Sequence, residues 1–449
     1  MSAPAASAAP PAAAPRTAPA RCEPRRLRLD NGLRVVVTED HDAPAVAVAV
    51  TYDVGFRSEP EGSSGFAHLF EHLMFEGSAR VGRGQHAQLV QASGGVFNGT
   101  THRDHTAYYQ VVPAEALERV LFLEADRMRA PRITEETLAH QIAVVREEVR
   151  RNISGRPYGG FPWVQLPPAV FTTFANTHNG YGDLADLEAS RPDDFAAFFD
   201  TYYAPGNAVL TVVGAVDADA CLELVDRHFG PLPARPVPRR PDFGEPAPAA
   251  DRLDTLPVAG LPLPALALGL PLPDPVADPD RYLAATVLGA LLGDGENSLL
   301  HRTAVRERRL ATFVHAGAGL TGVPWEARDP DVFVIRAMTP TEQTADAIGD
   351  AAFEALGRLA QDGPDPAALA RAAARLATEQ YLALDRVGSR ARAHGRFELH
   401  HGDAALADRL PGRLPRTTPQ QIAEAAAALA GRPRRGVLLC PAPHHGGRG

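Results

Sequence analysis

The stretch His68-Leu69-Phe70-Glu71-His72 puts two imidazoles four residues apart. On an α-helix that spacing brings both to one face, one turn from each other. Glu71 stands beside them, three residues after the first. Imidazoles so placed can share a zinc ion, with the adjacent carboxylate as base. The flanks favour a helix: Ser63, Ser64 and Gly65 offer caps, Phe66, Leu69, Phe70, Leu73 and Met74 supply apolar contacts, and Gly77-Ser78 would end it. The bland alternative is a buried helix that carries two histidines by chance, so the pentapeptide has to be weighed with the rest of the chain.

A catalytic zinc commonly takes three protein ligands and leaves its fourth position to water. Thr134 to Arg151 reads as a long helix, opened by Thr134 with glutamates close behind in a near capping-box arrangement. Leu138, Ile142, Val145 and Val149 form its core stripe. At about 100° per residue, Glu148 falls roughly 90° from the middle of that stripe and Glu147 nearly opposite it. Glu148 is therefore the carboxylate able to look into a site at the edge of the core, with 75 residues between it and His72. The expected set is one Zn2+ per chain on His68, His72 and Glu148. Glu71 does not ligate; it activates a zinc-bound water and later passes the proton to a leaving amine.

A chain of 449 residues predicts two or three domains, and 45% hydrophobic residues supply a sizeable core. The net charge of -9 argues against nucleic acid or an anionic membrane as the main partner, and no apolar run is long enough to span a bilayer. Cys22, Cys221 and Cys440 are too scattered for a disulfide framework or a paired-cysteine metal site. The first residues are mostly Ala, Pro and Ser and do not read as a signal peptide, so a cytoplasmic address is expected.

Asp30-Asn31-Gly32 between apolar runs is a hairpin signal. Strands are expected at Val46–Asp53 and across Val96–Val112, helices at 83–93, Ala114–Met128 and Asp194–Tyr203, and a strand at Asn207–Val213 followed by a helix from Asp217. After Pro231–Ala250, dense in Pro, Ala and Arg, the order returns: strands at Leu266–Leu270 and Val332–Arg336, helices at Tyr282–Leu292, Leu299–Arg306, Asp346–Leu359 and Ala367–Leu384, and a closing strand at Gly436–Cys440. This repeat of about two hundred residues predicts an α+β fold of two homologous domains, each a mainly antiparallel sheet covered by helices. The expected layout is a disordered tail at 1–22, a catalytic domain at 23–232, a linker at 233–250, a non-catalytic domain at 251–441 and a tail at 442–449.

The chain resembles the M16 (pitrilysin-type, inverzincin) metallopeptidases, in particular their mitochondrial-processing-peptidase-like bacterial branch. The resemblance is carried by the H-x-x-E-H motif and by Gly94-Gly95-Val96-Phe97-Asn98 with Thr101, Asp104 and Thr106-Ala107-Tyr108. Glu124-Ala125-Asp126-Arg127-Met128, Val144-Val145-Arg146-Glu147-Glu148, Arg156-Pro157-Tyr158-Gly159, Tyr203-Ala204-Pro205-Gly206-Asn207-Ala208 and Gly293-Asp294-Gly295-Glu296-Asn297-Ser298 extend it from about Leu27 to Pro441. It implies zinc ligands at His68, His72 and Glu148, a base at Glu71, and a clamshell that encloses a peptide in a chamber. The peptide would add as a strand to an edge at Phe97 to Thr101, with Asn98, Gly99 and Thr100 against the substrate. A turn role for Asn98 after Gly94-Gly95 is the plain alternative.

With one catalytic and one non-catalytic half, the resemblance implies a homodimer or a heterodimer with a second M16-type chain. Two departures stand out. The family often carries a second carboxylate where this chain has Gln141, and its Arg/Tyr substrate-binding pair is not matched by Tyr381 and its neighbours. Among other histidines, His102 and His105 are expected on opposite faces of a strand. His140 is expected in solvent, His178 as packing, and His444 and His445 as tail. The functional expectation is a zinc endopeptidase; the alternatives are a non-catalytic peptide-binding partner or scaffold, and a structural zinc protein, which would normally need a fourth protein ligand.

Overall fold

The computed structural model describes residues 23–42 and 44–442; the tail expected at 1–22, and His444 and His445, lie outside them. The first sheet holds six strands, β1 (Arg25–Arg28), β2 (Arg34–Glu39), β3 (Ala45–Tyr52), β4 (Val96–Thr101), β5 (Thr106–Pro113) and β6 (Ala208–Gly214). Their order is β1-β2-β6-β3-β5-β4. The second sheet holds β7 (Arg252–Val258), β8 (Ala265–Pro271), β9 (Phe313–Ala318), β10 (Val332–Met338) and β11 (Arg435–Pro441), in the order β7-β11-β8-β10-β9.

The two orders superimpose. β2 and β6 pair in parallel, as do β7 and β11, and every other pairing in either sheet is antiparallel. The α+β repeat read from element order is thus a repeat of strand topology. β1 is an extra edge strand of the first sheet beyond the parallel pair; at the opposite edge β4 and β9 hold the same rank.

Each sheet packs one face on helices of its own half. Val46, Val48 and Val50 of β3 point into a core with Leu69, Phe70, Leu73, Val120, Leu138 and Val145. The opposite face is covered by the other half of the chain. Ala47, Ala49 and Val213 receive Ala391 from the helix Val387–His401, and Val36 and Val209 receive Leu399 and Ala404. Gly395 lies so close to the sheet that a Cβ there would sit 2.5 Å from Thr51 Oγ1. The exchange is reciprocal: Leu166, Val170 and Phe171 of the first half cover Ala265, Ala267, Val334 and Leu439 of the second sheet. The two repeats therefore complete each other's cores.

The pattern reading missed the helix Val387–His401, whose small and basic residues have no clear apolar stripe, and the edge strands β7 and β9. Thr134 does cap the helix Glu135–Val149, but the box is closed by Thr137 rather than a glutamate, because Thr137 is the third helical residue. The Pro- and Ala-rich segment after Pro231 is irregular yet docked. Phe243 is buried, its carbonyl accepts from Asn176 Nδ2 at 2.8 Å, and Glu245 accepts from the backbone amides of Thr172 and Thr173.

Candidate metal centre and cleft

The helix Phe66–Leu73 buries Phe66, Ala67, Leu69, Phe70 and Leu73, which turns His68, Glu71 and His72 to the other side. The expected caps Ser63 and Ser64 do not hold its start. The N-terminus begins at Gly65 (φ +87°), and the buried carboxylate of Glu59 accepts from Gly65 N at 2.8 Å and Ala67 N at 2.7 Å. An anion there satisfies orphan amides and complements the helix dipole. Ser64 instead donates to Asp186 at 2.7 Å, and the helix ends at Leu73, one turn before Gly77.

Glu148, at the last turn of Glu135–Val149, comes alongside. Its Oε2 lies 3.4 Å from His72 Nε2 and 3.7 Å from His68 Nε2, and the imidazole centroids are 4.9 Å apart. One ligand atom from each of the three residues falls within 4.8 Å of the others, and among the described residues no other group of three does so. Glu147, as its angle predicts, points to solvent and pairs with Arg150. Two imidazoles and a carboxylate around one point are a donor set that suits zinc. Burial, then the neighbouring His72, pushes the His68 pKa down to about 4, which keeps its ring neutral and able to ligate. The hydrogen bond from His72 is the main reason the Glu148 carboxyl is held at about 2.

Three groups support the set: the sequence marked Gln141 only as a departure and assigned Tyr181 and Thr101 no part at the metal. Gln141 Oε1 is 3.1 Å from His72 Nδ1, and Gln141 Nε2 donates to Glu76 Oε1 at 2.5 Å. Tyr181 donates to Glu148 Oε1 at 3.0 Å and stands edge-on to His68. It gets there because Gly182 (φ +67°) lies against Gly65, where either Cβ would collide with backbone. Nothing in the local pattern around Tyr181 announces that role. Thr101 donates to Glu71 Oε2 at 2.5 Å. Burial raises the pKa of Glu71 against the pull of that bond and of His72.

The edge strand β4 crosses over Glu71. A Cβ on Gly99 would lie 2.7 Å from Glu71 Cγ, so Gly99 and Thr101 face the acid and, by alternation, Asn98 and Thr100 face away. Asn98 sits within the strand rather than in a turn; it is exposed, and its Oδ1 accepts from Gly99 N. A cleft of about 330 Å³ opens here between His68, Glu71, Thr101, His102, Tyr181 and Glu326.

His102 and His105 do not point apart as an extended strand would have them. Residues 102–105 form the β4–β5 turn, closed by His102 N to His105 O at 2.9 Å, and the two rings stack at 4.5 Å. His102 faces Glu326 at 3.1 Å. His140 is exposed, and His178 is tied to Phe174, Phe56 and Glu59, as expected of a packing residue.

The sequence profile "Insulinase (Peptidase family M16)" matches residues 34–154, and "Peptidase M16 inactive domain" matches residues 191–376. The chain belongs to peptidase family M16. It is 31% identical to the zinc protease PqqE of Helicobacter pylori over a stretch that spans 64% of either chain. It is 28% identical to the beta subunit of the Caenorhabditis elegans mitochondrial-processing peptidase over 45% of this chain and 44% of that one. In fold it superimposes on the crystal structure of a protease from Helicobacter pylori with a TM-score of 0.85, covering 94% of this chain and all of the other at 24% identity. Among the described residues no helix is long and apolar enough to cross a membrane.

Proposed function

We propose that this chain is a zinc-dependent endopeptidase that hydrolyses peptides or unfolded segments held in a chamber. What supports the reading most is the meeting of His68, His72 and Glu148 around one point with Glu71 on the same helix face, under a free sheet edge. His68, His72 and Glu148 would hold one zinc ion per chain. Bound there, zinc would polarise a carbonyl and lower the pKa of water towards about 7.

The peptide adds to β4 as a strand, its main chain hydrogen-bonded along Phe97 to Thr101, so that the scissile bond lies over Gly99 beside Glu71. Glu71 accepts the proton of the attacking water and delivers it to the leaving amine. Its burial favours this work, because a carboxyl with a raised pKa holds the transferred proton more readily. Thr101 keeps the carboxylate aimed, Gln141 and Tyr181 orient His72 and Glu148, and Asn98 lies on the edge where a peptide would arrive. The match to the inactive-domain profile in the second half supports a wall or binding surface there, and pairing with a second copy or a related chain would close the chamber.

Wild type and Glu71→Gln, assayed for zinc content and for cleavage of quenched peptides with and without chelator, test this reading. The expected result is equal zinc, chelator-sensitive cleavage by wild type and a loss of at least a hundredfold in the variant. Stoichiometric zinc without cleavage, alone or with a partner chain, would make the protein a peptide-binding subunit instead.

A further inference from the structure

A second cavity, of about 350 Å³, opens on the face of the edge strand away from Glu71. Thr100 and Ala107, directly paired across β4 and β5, form its floor; Trp325 and Glu326 form one wall, and Arg392 and Arg396 of the helix Val387–His401 form another. It adjoins the catalytic cleft, since Thr100, His102 and Glu326 line both.

Its charge is unbalanced. Arg396 Nε is buried without a hydrogen-bond partner, and so is Thr100 Oγ1. Arg392 lies over the Tyr109 ring at 4.5 Å and makes one long bond, to Gly388 O at 3.4 Å. Glu326 is the one carboxylate on the lining, and its oxygens are already engaged by His102 Nδ1 at 3.1 Å and Thr321 Oγ1 at 2.6 Å. His105 adds no compensating negative charge. Two guanidiniums therefore face one occupied carboxylate. Arg396, half-buried with its guanidinium over the Phe397 ring at 5.4 Å, thus keeps one buried N–H without an acceptor, which is costly and which an arriving anion would satisfy.

We propose that this cavity is a subsite for a carboxylate of the bound peptide, from an acidic side chain or the C-terminus, received by Arg396 with Arg392 adding charge. The proposal rests on the strand-addition reading above. Successive side chains of an added strand alternate between faces. Those on one face meet Glu71, and those on the other meet Thr100 and the arginines. The resulting preference is for peptides with an acidic residue close to the scissile bond.

The test uses full-length zinc-loaded protein and C-terminally amidated quenched peptides, with Glu or Gln placed in turn at each position flanking the cleaved bond. At one position Glu should raise kcat/KM about tenfold over Gln, equivalent to about 1.4 kcal/mol. The Glu-to-Gln ratio should fall to about 1 in Arg396→Gln, and Arg396→Glu should favour Lys instead. Equilibrium binding of the same peptides to Glu71→Gln should show the same ratio, and Arg392→Gln should lower it in part, so the outcome does not hang on the folding of one variant. A preference confined to peptides with a free C-terminus would assign the carboxylate to the terminus. Cleavage of every peptide with a ratio near 1, or a ratio unchanged in Arg396→Gln, would overturn the subsite and leave the peptidase standing. Failure to bind or cleave any peptide would overturn both.

Discussion

Gln141 holds His72 by its side-chain oxygen, 3.1 Å from Nδ1, while its amide nitrogen donates to Glu76 at 2.5 Å. Glu76 can only accept as a carboxylate, so the amide has one sensible orientation, and His72 Nδ1 must then be the donor. That leaves Nε2 as the nitrogen turned to Glu148, to which it donates here and in whose place a metal at the candidate position would take its lone pair. The glutamine thus does through a neighbouring acid what a direct carboxylate partner would do. Gln141→Leu should weaken zinc binding about 10- to 100-fold, and Gln141→Glu should weaken it less, since the new acid still accepts from His72 but loses the donor to Glu76. Competition against a chromogenic chelator measures both.

Gly99 leaves room for Glu71 under the edge strand. A methyl group there would sit 2.7 Å from Glu71 Cγ and 2.7 Å from Oε1. Gly99→Ala should displace the acid by a fraction of an ångström and lower kcat by at least about tenfold, because small misplacements of catalytic groups are costly. Zinc content should not change. Steady-state kinetics beside metal analysis separates this from general damage.

The turn that carries His102 and His105 also pins the two halves together. Asp104 is fully buried with Arg57; it accepts from Arg57 Nε at 2.9 Å and from the Arg328 amide at 2.7 Å. Burial alone would raise its pKa, but Arg57 and Arg328 hold it at about 2. Between that value and the ordinary carboxylate range the unfolded chain binds the proton and the folded chain does not. The contribution of Asp104, about 2 kcal/mol, is therefore complete above the unfolded pKa and lost as pH falls towards the folded one. Urea unfolding at pH 6 and pH 3 should show a larger drop for wild type than for Asp104→Asn. The variant should itself be about 3 kcal/mol less stable at pH 6, since Arg57 stays buried without its partner.

Gly395 sets how closely the helix Val387–His401 lies on the first sheet. Any side chain there meets Thr51 Oγ1 at 2.5 Å and Thr211 Oγ1 at 3.1 Å, both on buried residues. Gly395→Val should cost about 1–3 kcal/mol through overpacking, read as a lower thermal midpoint.

The candidate metal residues were legible as a group because their spacing is local or periodic. His68, Glu71 and His72 share one helix turn, and the apolar stripe of the helix Glu135–Val149 singled out Glu148 from Glu147 by angle alone. The doubled α+β architecture followed from the order of elements, which alternation and turn residues encode over short stretches. Distance along the chain hid the rest. Tyr181 reaches Glu148 by way of two glycines that permit backbone contact, and Arg396 faces the edge strand from almost three hundred residues away. Only the tertiary fold decided which half covers which sheet, because small residues such as Ala391 and Gly395 declare no apolar stripe and acquire their meaning from the strands they lie against.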